Sequence, residues 1–238
     1  KDLHNFYKNN YFSNELSIVI VGDISRNEAE ELGNKISSGF TQSKIASPIP
    51  LVKEVKGQDI RISHPAKQAH LYYGAPIIKR GDPDFLALYL GNYILGGGGF
   101  VSRLTQVIRE DRGLAYSVYS YFMPYIEKGP FQIGVQTKKN QVGQAKKLID
   151  KTVAEFIKNG PKSQELKRAK DFMIGGFPLK LDSNKSILEY VSMMAFYKYP
   201  LDYLDTFTDK IDKISSEEIK SAFQRRVDMS KFSTVIVG

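Results

Sequence analysis

The sequence ends much as it begins. Residues 2–22 read DLHNFYKNNYFSNELSIVIVG and residues 218–238 read EIKSAFQRRVDMSKFSTVIVG; the two align without a gap at an offset of 216 positions. Val19-Ile20-Val21-Gly22 repeats as Val235-Ile236-Val237-Gly238, and Ser17 as Ser233. Leu3, Tyr7 and Leu16 fall on Ile219, Phe223 and Phe232. Each stretch predicts a helix end, a short turn and a buried β-branched strand. A repeat of this period is a domain duplication, since solenoid units run to only about 20–50 residues. The chain is then expected to open in the last helix and strand of one copy and to contain the whole of the next. Lys1 in place of an initiator Met reads the same way, as an excised or processed chain.

Between the two echoes the local signals are clear. Ser25-Arg26-Asn27-Glu28 is a capping box that starts a helix running to about Ser38. Thr41 to Pro50 (TQSKIASPIP) is rich in Ser, Pro and small residues and reads as a linker. The domain boundary is therefore placed there, with residues 1–45 as the tail of a preceding domain and 46–238 as the next. Strands are predicted at 58–63 and 68–78. Asp82 is expected as an N-cap, with Pro83 in the first turn of a helix that is apolar nearly all round to Leu95 and hence buried. Gly96 to Gly99 ends that helix, and a second runs from Ser102 to about Asp111. Strands 114–123 and 130–137 follow. Later helices are predicted at 141–158, 164–177, 184–197, 201–212 and 216–226, the last opened by a second capping box at Ser215–Glu218, and strand 232–237 closes the chain. Strands first, helices later and a returning strand predict an α+β fold, a largely antiparallel sheet with helices packed on one face.

Composition excludes several classes. The 238 residues include no cysteine, which rules out a disulfide framework, a zinc-thiolate site and a cysteine nucleophile. No apolar run approaches the ~18 residues of a membrane span. A net charge of +8 invites a nucleic-acid reading. However, residues 138–190 hold 12 basic and 6 acidic groups, whereas residues 1–45 hold 5 and 6. The excess is mostly lysine on one helical stretch, as expected of a solvated face rather than a nucleic-acid surface.

Few residues are candidates for chemistry. His4, His64 and His70 are the three histidines, and none sits in an H-E-x-x-H or H-x-x-E-H pattern. His64 and His70 could share a strand face, but Pro65 intervenes and no acid completes a site. The four glycines lack the Lys-Ser/Thr of a phosphate loop; they read as a helix stop, or as a loop against which a peptide backbone can lie. The richest segment is GFVSRLTQVIREDRGLAYSVY, residues 99–119. Arg109 falls late in a helix, Gly113 breaks it, and Tyr116 opens the next strand. Both side chains could converge at this corner and donate hydrogen bonds to peptide carbonyls or an oxyanion. The alternative is a surface Arg paired with an acid, beside a Tyr packed in the sheet.

The run LGGGGFVSRLTQVIREDRGLAYSVYS (95–120) resembles the second domain of the pitrilysin/insulinase metallopeptidases, which include the mitochondrial processing peptidases. FYKNNYFSNELSIVIVGDIS (6–25) resembles the end of that family's preceding domain, and YPLDYLDTFTDKIDKISSEEIKSAF (199–223) its C-terminal helices. The resemblance implies a tandem duplication in which zinc is held by an H-x-x-E-H helix of the catalytic half. The corresponding helix here, DFLALYLGNYIL (84–95), has no His or Glu, so this chain is expected to hold no metal and no cofactor. Zinc is expected in a companion domain or subunit. The resemblance implies substrate contact for an Arg and a Tyr seven positions apart, matched by Arg109 and Tyr116, with no catalytic residue in this chain. A similar pattern also occurs in zinc-bearing subunits, so it does not separate catalytic from partner subunits. The expected function is a non-catalytic domain that helps enclose an unfolded peptide, inactive alone. A scaffold subunit is the alternative and a basic nucleic-acid binder a third reading. The resemblance implies as partners a zinc-bearing domain or subunit and an unfolded peptide, with a homo- or heterodimer as the assembly. A periplasmic location is expected, with the cytoplasm as alternative.

Overall fold

Alternation of apolar residues makes the sheet, and burial of one face of it makes the core. The computed structural model of the chain describes residues 1–13, 16–40, 48–53 and 56–238. In order the elements are α1 (Asp2–Asn10), α2 (Arg26–Ser37), β1 (Asp59–Ile62), β2 (Gln68–Ile78), α3 (Phe85–Asn92), α4 (Arg103–Thr105), β3 (Ala115–Phe122), β4 (Gly129–Lys138), α5 (Val142–Asn159), α6 (Ser163–Gly176), α7 (Asn184–Tyr197), α8 (Tyr203–Lys213), α9 (Ser216–Arg226) and β5 (Ser233–Val237). Helices α3 and α4 each run on into a wide π turn, Tyr93–Gly97 and Gln106–Glu110. The chain divides into two compact units: residues 1–49 with 176–205, and residues 50–175 with 206–238.

The second unit holds a five-stranded sheet in the order β1-β5-β2-β4-β3. Only the β1–β5 pair is parallel; β5 is antiparallel to β2, and β4 is antiparallel to both β2 and β3. The class is therefore α+β with a mostly antiparallel sheet. Along β2, Ala69, Leu71, Tyr73, Ala75 and Ile77 point into the core and are buried. Their neighbours His70 and Tyr72 lie on the opposite, open face. On the covered side α9 packs against α3 and α5. Gly91 of α3 makes that approach possible: a Cβ there would come within 2.5 Å of the Phe223 ring and 2.7 Å of the Ile219 side chain. Phe223 in turn meets Phe156 edge to face at 4.8 Å and Phe122 at 6.0 Å. Full burial of an aromatic of this size contributes about 1.5–3 kcal/mol.

Polar contacts fix the helix ends. Arg103 forks onto Glu165 at 2.8 and 2.6 Å, donates to the Gly160 carbonyl at 3.0 Å and lies over the Phe156 ring. Burial alone would raise the Glu165 carboxyl, but the Arg103 hydrogen bonds and the Lys162 N–H hold it below its usual range. Lysines of α5 and α6 pair along their own helices, Lys146 with Asp150 and Lys167 with Asp171, as a solvated face would.

The first unit is less buried. Neither α1 nor α2 contributes a fully buried residue. The Ser25–Glu28 capping box forms as the sequence predicts, and so does Ser215–Glu218 on α9. In α7, Ser183 caps the start and Lys198 adopts a left-handed conformation at the end.

Two local expectations need correction. Residues 16–21 form no strand and none is fully buried. A strand exists by pairing, and none of the five strands pairs with this segment. The α3 N-cap is Asp84, not Asp82. The Asp82 carboxylate accepts the Asp84 N–H at 3.0 Å, which delays the helix by two residues and leaves the Asp84 side chain to Arg225 and Arg226. His64 lies in the loop after β1 and shares no strand face with His70, in keeping with the intervening Pro65. The expected linker falls largely on residues 41–47, outside the described residues.

Candidate functional site

The corner between α4 and β3 is built by three local devices. Ser102 caps α4: its hydroxyl accepts the Thr105 N–H and donates to the Gly99 carbonyl at 2.8 Å. The helix then widens into its π turn, which carries Arg109. Such turns bulge a helix outward and recur at functional sites. Gly113 stops the helix at φ +60, where its N–H bonds to the Arg109 carbonyl and the Leu114 N–H to that of Ile108. A side chain at this φ would be strained. Finally, the β3–β4 register slips between Ala115 and Ser117, so Tyr116 is the bulged residue. A bulge bends the strand and re-aims its side chain, and Tyr116 is 81% exposed.

These devices bring the two sequence-predicted residues together. The Arg109 guanidinium lies 4.9 Å from the centre of the Tyr116 ring and 4.5 Å from that of Phe100. It is held between two aromatic faces, with its Nε 3.4 Å from Glu110. Phe100 is the partner that sequence reasoning missed. A phenylalanine directly after a glycine run, nine residues before an arginine, was the available signal.

Phe100, Arg109 and Tyr116 line a groove of about 290 Å³ beside β3. Gly96, Gly97, Gly99, Thr105 and residues 117–121 complete the lining. Gly96 serves packing: a Cβ would strike the Ser120 hydroxyl and come within 2.8 Å of Leu104. Asn92 locks the same place, donating to the Ser120 carbonyl at 3.0 Å and accepting the Ser120 hydroxyl at 2.6 Å. Gly99, at φ +60, turns the chain beside the groove without a side chain in the way. The glycine run is therefore both a packed helix stop and an unobstructed wall. Beyond it Tyr119 lies flat across Gly134, and burial, with the Tyr72 and Tyr121 phenols nearby, raises its hydroxyl pKa.

Chemically the arrangement offers the Arg109 guanidinium and the Tyr116 hydroxyl as hydrogen-bond donors beside the Glu110 carboxylate. A zinc ion does not fit the residues present. Helix α3 and its π turn carry neither His nor Glu, and among the described residues no three His, Asp or Glu side chains converge. His4 is on α1, His64 offers its carbonyl to Lys139, and His70 stacks with Tyr72 on the open sheet face.

The sequence pattern that describes the peptidase M16 inactive domain matches residues 1–173. The chain belongs to that family. Among solved structures, the M16 inactive domain from Pseudomonas fluorescens superposes with a TM-score of 0.93 at 36% identity, over 99% of this chain and 57% of that one. A protease from Helicobacter pylori superposes at 0.81 with 17% identity, over 91% and 53%. Among curated relatives, the "non-peptidase homolog YmxG" of Helicobacter pylori is 30% identical over 94% of this chain and 52% of its own length. The "uncharacterized zinc protease YmxG" of Bacillus subtilis is 40% identical over 50% of this chain and 29% of its own length. This M16 inactive domain thus spans about half the length of the Helicobacter relative. No helix among the described residues is long and apolar enough to cross a membrane.

Proposed function

We propose that this M16 inactive domain is the substrate-holding, non-catalytic part of a zinc-dependent endopeptidase. Residues 1–45 are the tail of a preceding homologous domain, and 46–238 form one wall of a chamber around an unfolded peptide. The observation that carries this reading is the Phe100–Arg109–Tyr116 stack in the lining of the β3 groove. The aromatic faces hold the guanidinium in place, so its remaining N–H groups are preorganised donors for a peptide carbonyl. The Tyr116 hydroxyl, carried outward by the bulge, supplies a second. The glycine wall lets an extended backbone approach, and the edge of β3 offers it main-chain partners. Bond cleavage belongs to a zinc-bearing companion, either a domain of the same chain or a subunit of a homo- or heterodimer. We further propose a periplasmic location, consistent with a chain without cysteine and with the name of a structural neighbour, the periplasmic protease PqqL of Escherichia coli.

The test is kinetic. In the complete zinc-bearing assembly, Arg109→Ala should lower kcat/KM for an unstructured peptide about 10- to 100-fold. That is the loss expected for a charge-assisted hydrogen bond of about 1.5–3 kcal/mol. Tyr116→Phe should lose less, and the 238-residue chain by itself should cleave nothing. An unchanged rate in both variants would favour the second reading, a scaffold subunit. That reading has its own observation: the Helicobacter relative is named a non-peptidase homolog.

A further inference from the structure

A second cavity, of about 250 Å³, lies beside the last residues of β2. Strand β5 pairs with β2 only as far as Gly74, through Ser233. Beyond that point Ala75, Pro76 and Ile77 form a wall with no strand on that side among the described residues. Five cationic residues line the same cavity, Lys53, Lys128, Arg225, Arg226 and Lys231, against one acid, Asp228.

The cations are arranged rather than merely gathered. Arg225 and Arg226 are consecutive in the last turn of α9, and both are anchored from behind. Arg225 bonds Asp84 at 2.6 Å; Arg226 bonds Asp84 at 2.7 Å and Asp82 at 2.9 Å. Burial pushes the Asp84 carboxyl up, but the two guanidiniums outweigh it and hold it below its usual range. The one acid of the lining is turned to its own loop: the Asp228 carboxylate accepts the Ser230 N–H at 3.0 Å and its hydroxyl at 2.6 Å. Lys53 and Lys128 have no acidic partner among the described residues. Fixed planar guanidiniums give directed donors, and mobile lysines give point charges; together they suit a compact oxyanion of high charge.

We propose that this cavity binds a small phosphorylated anion, of the size and charge of pyrophosphate or triphosphate. Ala75 to Ile77 give it an apolar floor, Arg225 and Arg226 orient its oxygens, and Lys53 and Lys128 neutralise the remaining charge.

Inorganic pyrophosphate and triphosphate, titrated calorimetrically into the full chain at low ionic strength, test the assignment. One-site binding is expected, weakening as salt rises. The double variant Lys53→Ala/Lys128→Ala changes two exposed side chains and leaves the fold intact; it should bind at least ten-fold more weakly. Arg109→Ala should bind as the unaltered chain does. Absence of binding to the unaltered chain, or undiminished binding in the double variant, would overturn the proposal.

Discussion

Ile219 and Phe223, near the end of the chain, are fully buried, whereas Leu3 and Tyr7, their counterparts 216 positions earlier, are 88% and 47% exposed. The same contrast holds for the strands. Val235–Val237 is paired on both sides, by β1 and β2, whereas Val19–Val21 is unpaired. Near-identical patterns thus meet different environments. A hydrophobic pattern states what a segment is able to bury. The neighbours, here α3 and α5 for the helix and two strands for the β segment, decide whether it is buried. The exposed apolar side of α1 is what the proposed boundary accounts for: it is the face that would close the core of a preceding domain.

The largest test of this contrast is a pair of core truncations. Phe223→Ala removes a ring held between Phe156 and Phe122 and should cost about 3–5 kcal/mol in urea unfolding. Tyr7→Ala should cost under about 1 kcal/mol, because its ring is half solvated and stacks only locally, on Tyr11 at 5.1 Å and near Phe40. Equal costs would break the comparison.

A smaller effect sharpens it. Ser25→Ala and Ser215→Ala delete the same capping box and each should cost about 1 kcal/mol of local helix stability. Amide exchange should distinguish them. Loss at Ser215 should speed exchange throughout the sheet that α9 covers, while loss at Ser25 should speed it in α2 alone. Uniform acceleration by both would mean that the two ends share one cooperative core.

The smallest effect is acid sensitivity. Asp84 and Glu165, both in the sheet-bearing unit, titrate below their ordinary values when folded. Their contribution is fully present above the unfolded values, near pH 4 to 4.5, and is lost as pH falls through the lower folded values. A urea midpoint followed from pH 6 to pH 3 should therefore fall. Arg103→Ala, which frees Glu165, should flatten the fall; an unaltered slope would remove Glu165 from the account.

Much of this was legible because it is local. Both capping boxes, the helix stop at Gly113 and the seven-residue spacing of Arg109 and Tyr116 lie within a few residues of their causes. What was not legible depends on distant partners. The two π turns and the bulge at Tyr116 are choices among hydrogen-bond registers that sequence periodicity does not separate. Asp82 and Asp84 exchanged roles because Arg226 and Arg225 wait some 140 residues away to claim the second carboxylate. Phe100 was passed over because aromatic residues are expected inside, and this one is two-thirds exposed. The opening strand failed for the opposite reason: its pattern is that of a strand, but no strand among the described residues pairs with it.

The sheet order has a consequence for the birth of the molecule. Among the described residues the only strand beside β1 is β5, and Ile62 is followed by 170 residues before Ser233 is made. At the speed of translation, about 5–20 residues per second, that interval is roughly 10–30 s. Throughout it β2 stands in the nascent chain with one edge bare, carrying Leu71 and Tyr73 toward a core whose lid, α9, is also still unmade. Bare apolar edges of this kind are templates for wrong pairing. A chaperone that shields β2 until β5 arrives is therefore expected to raise the yield of folded protein.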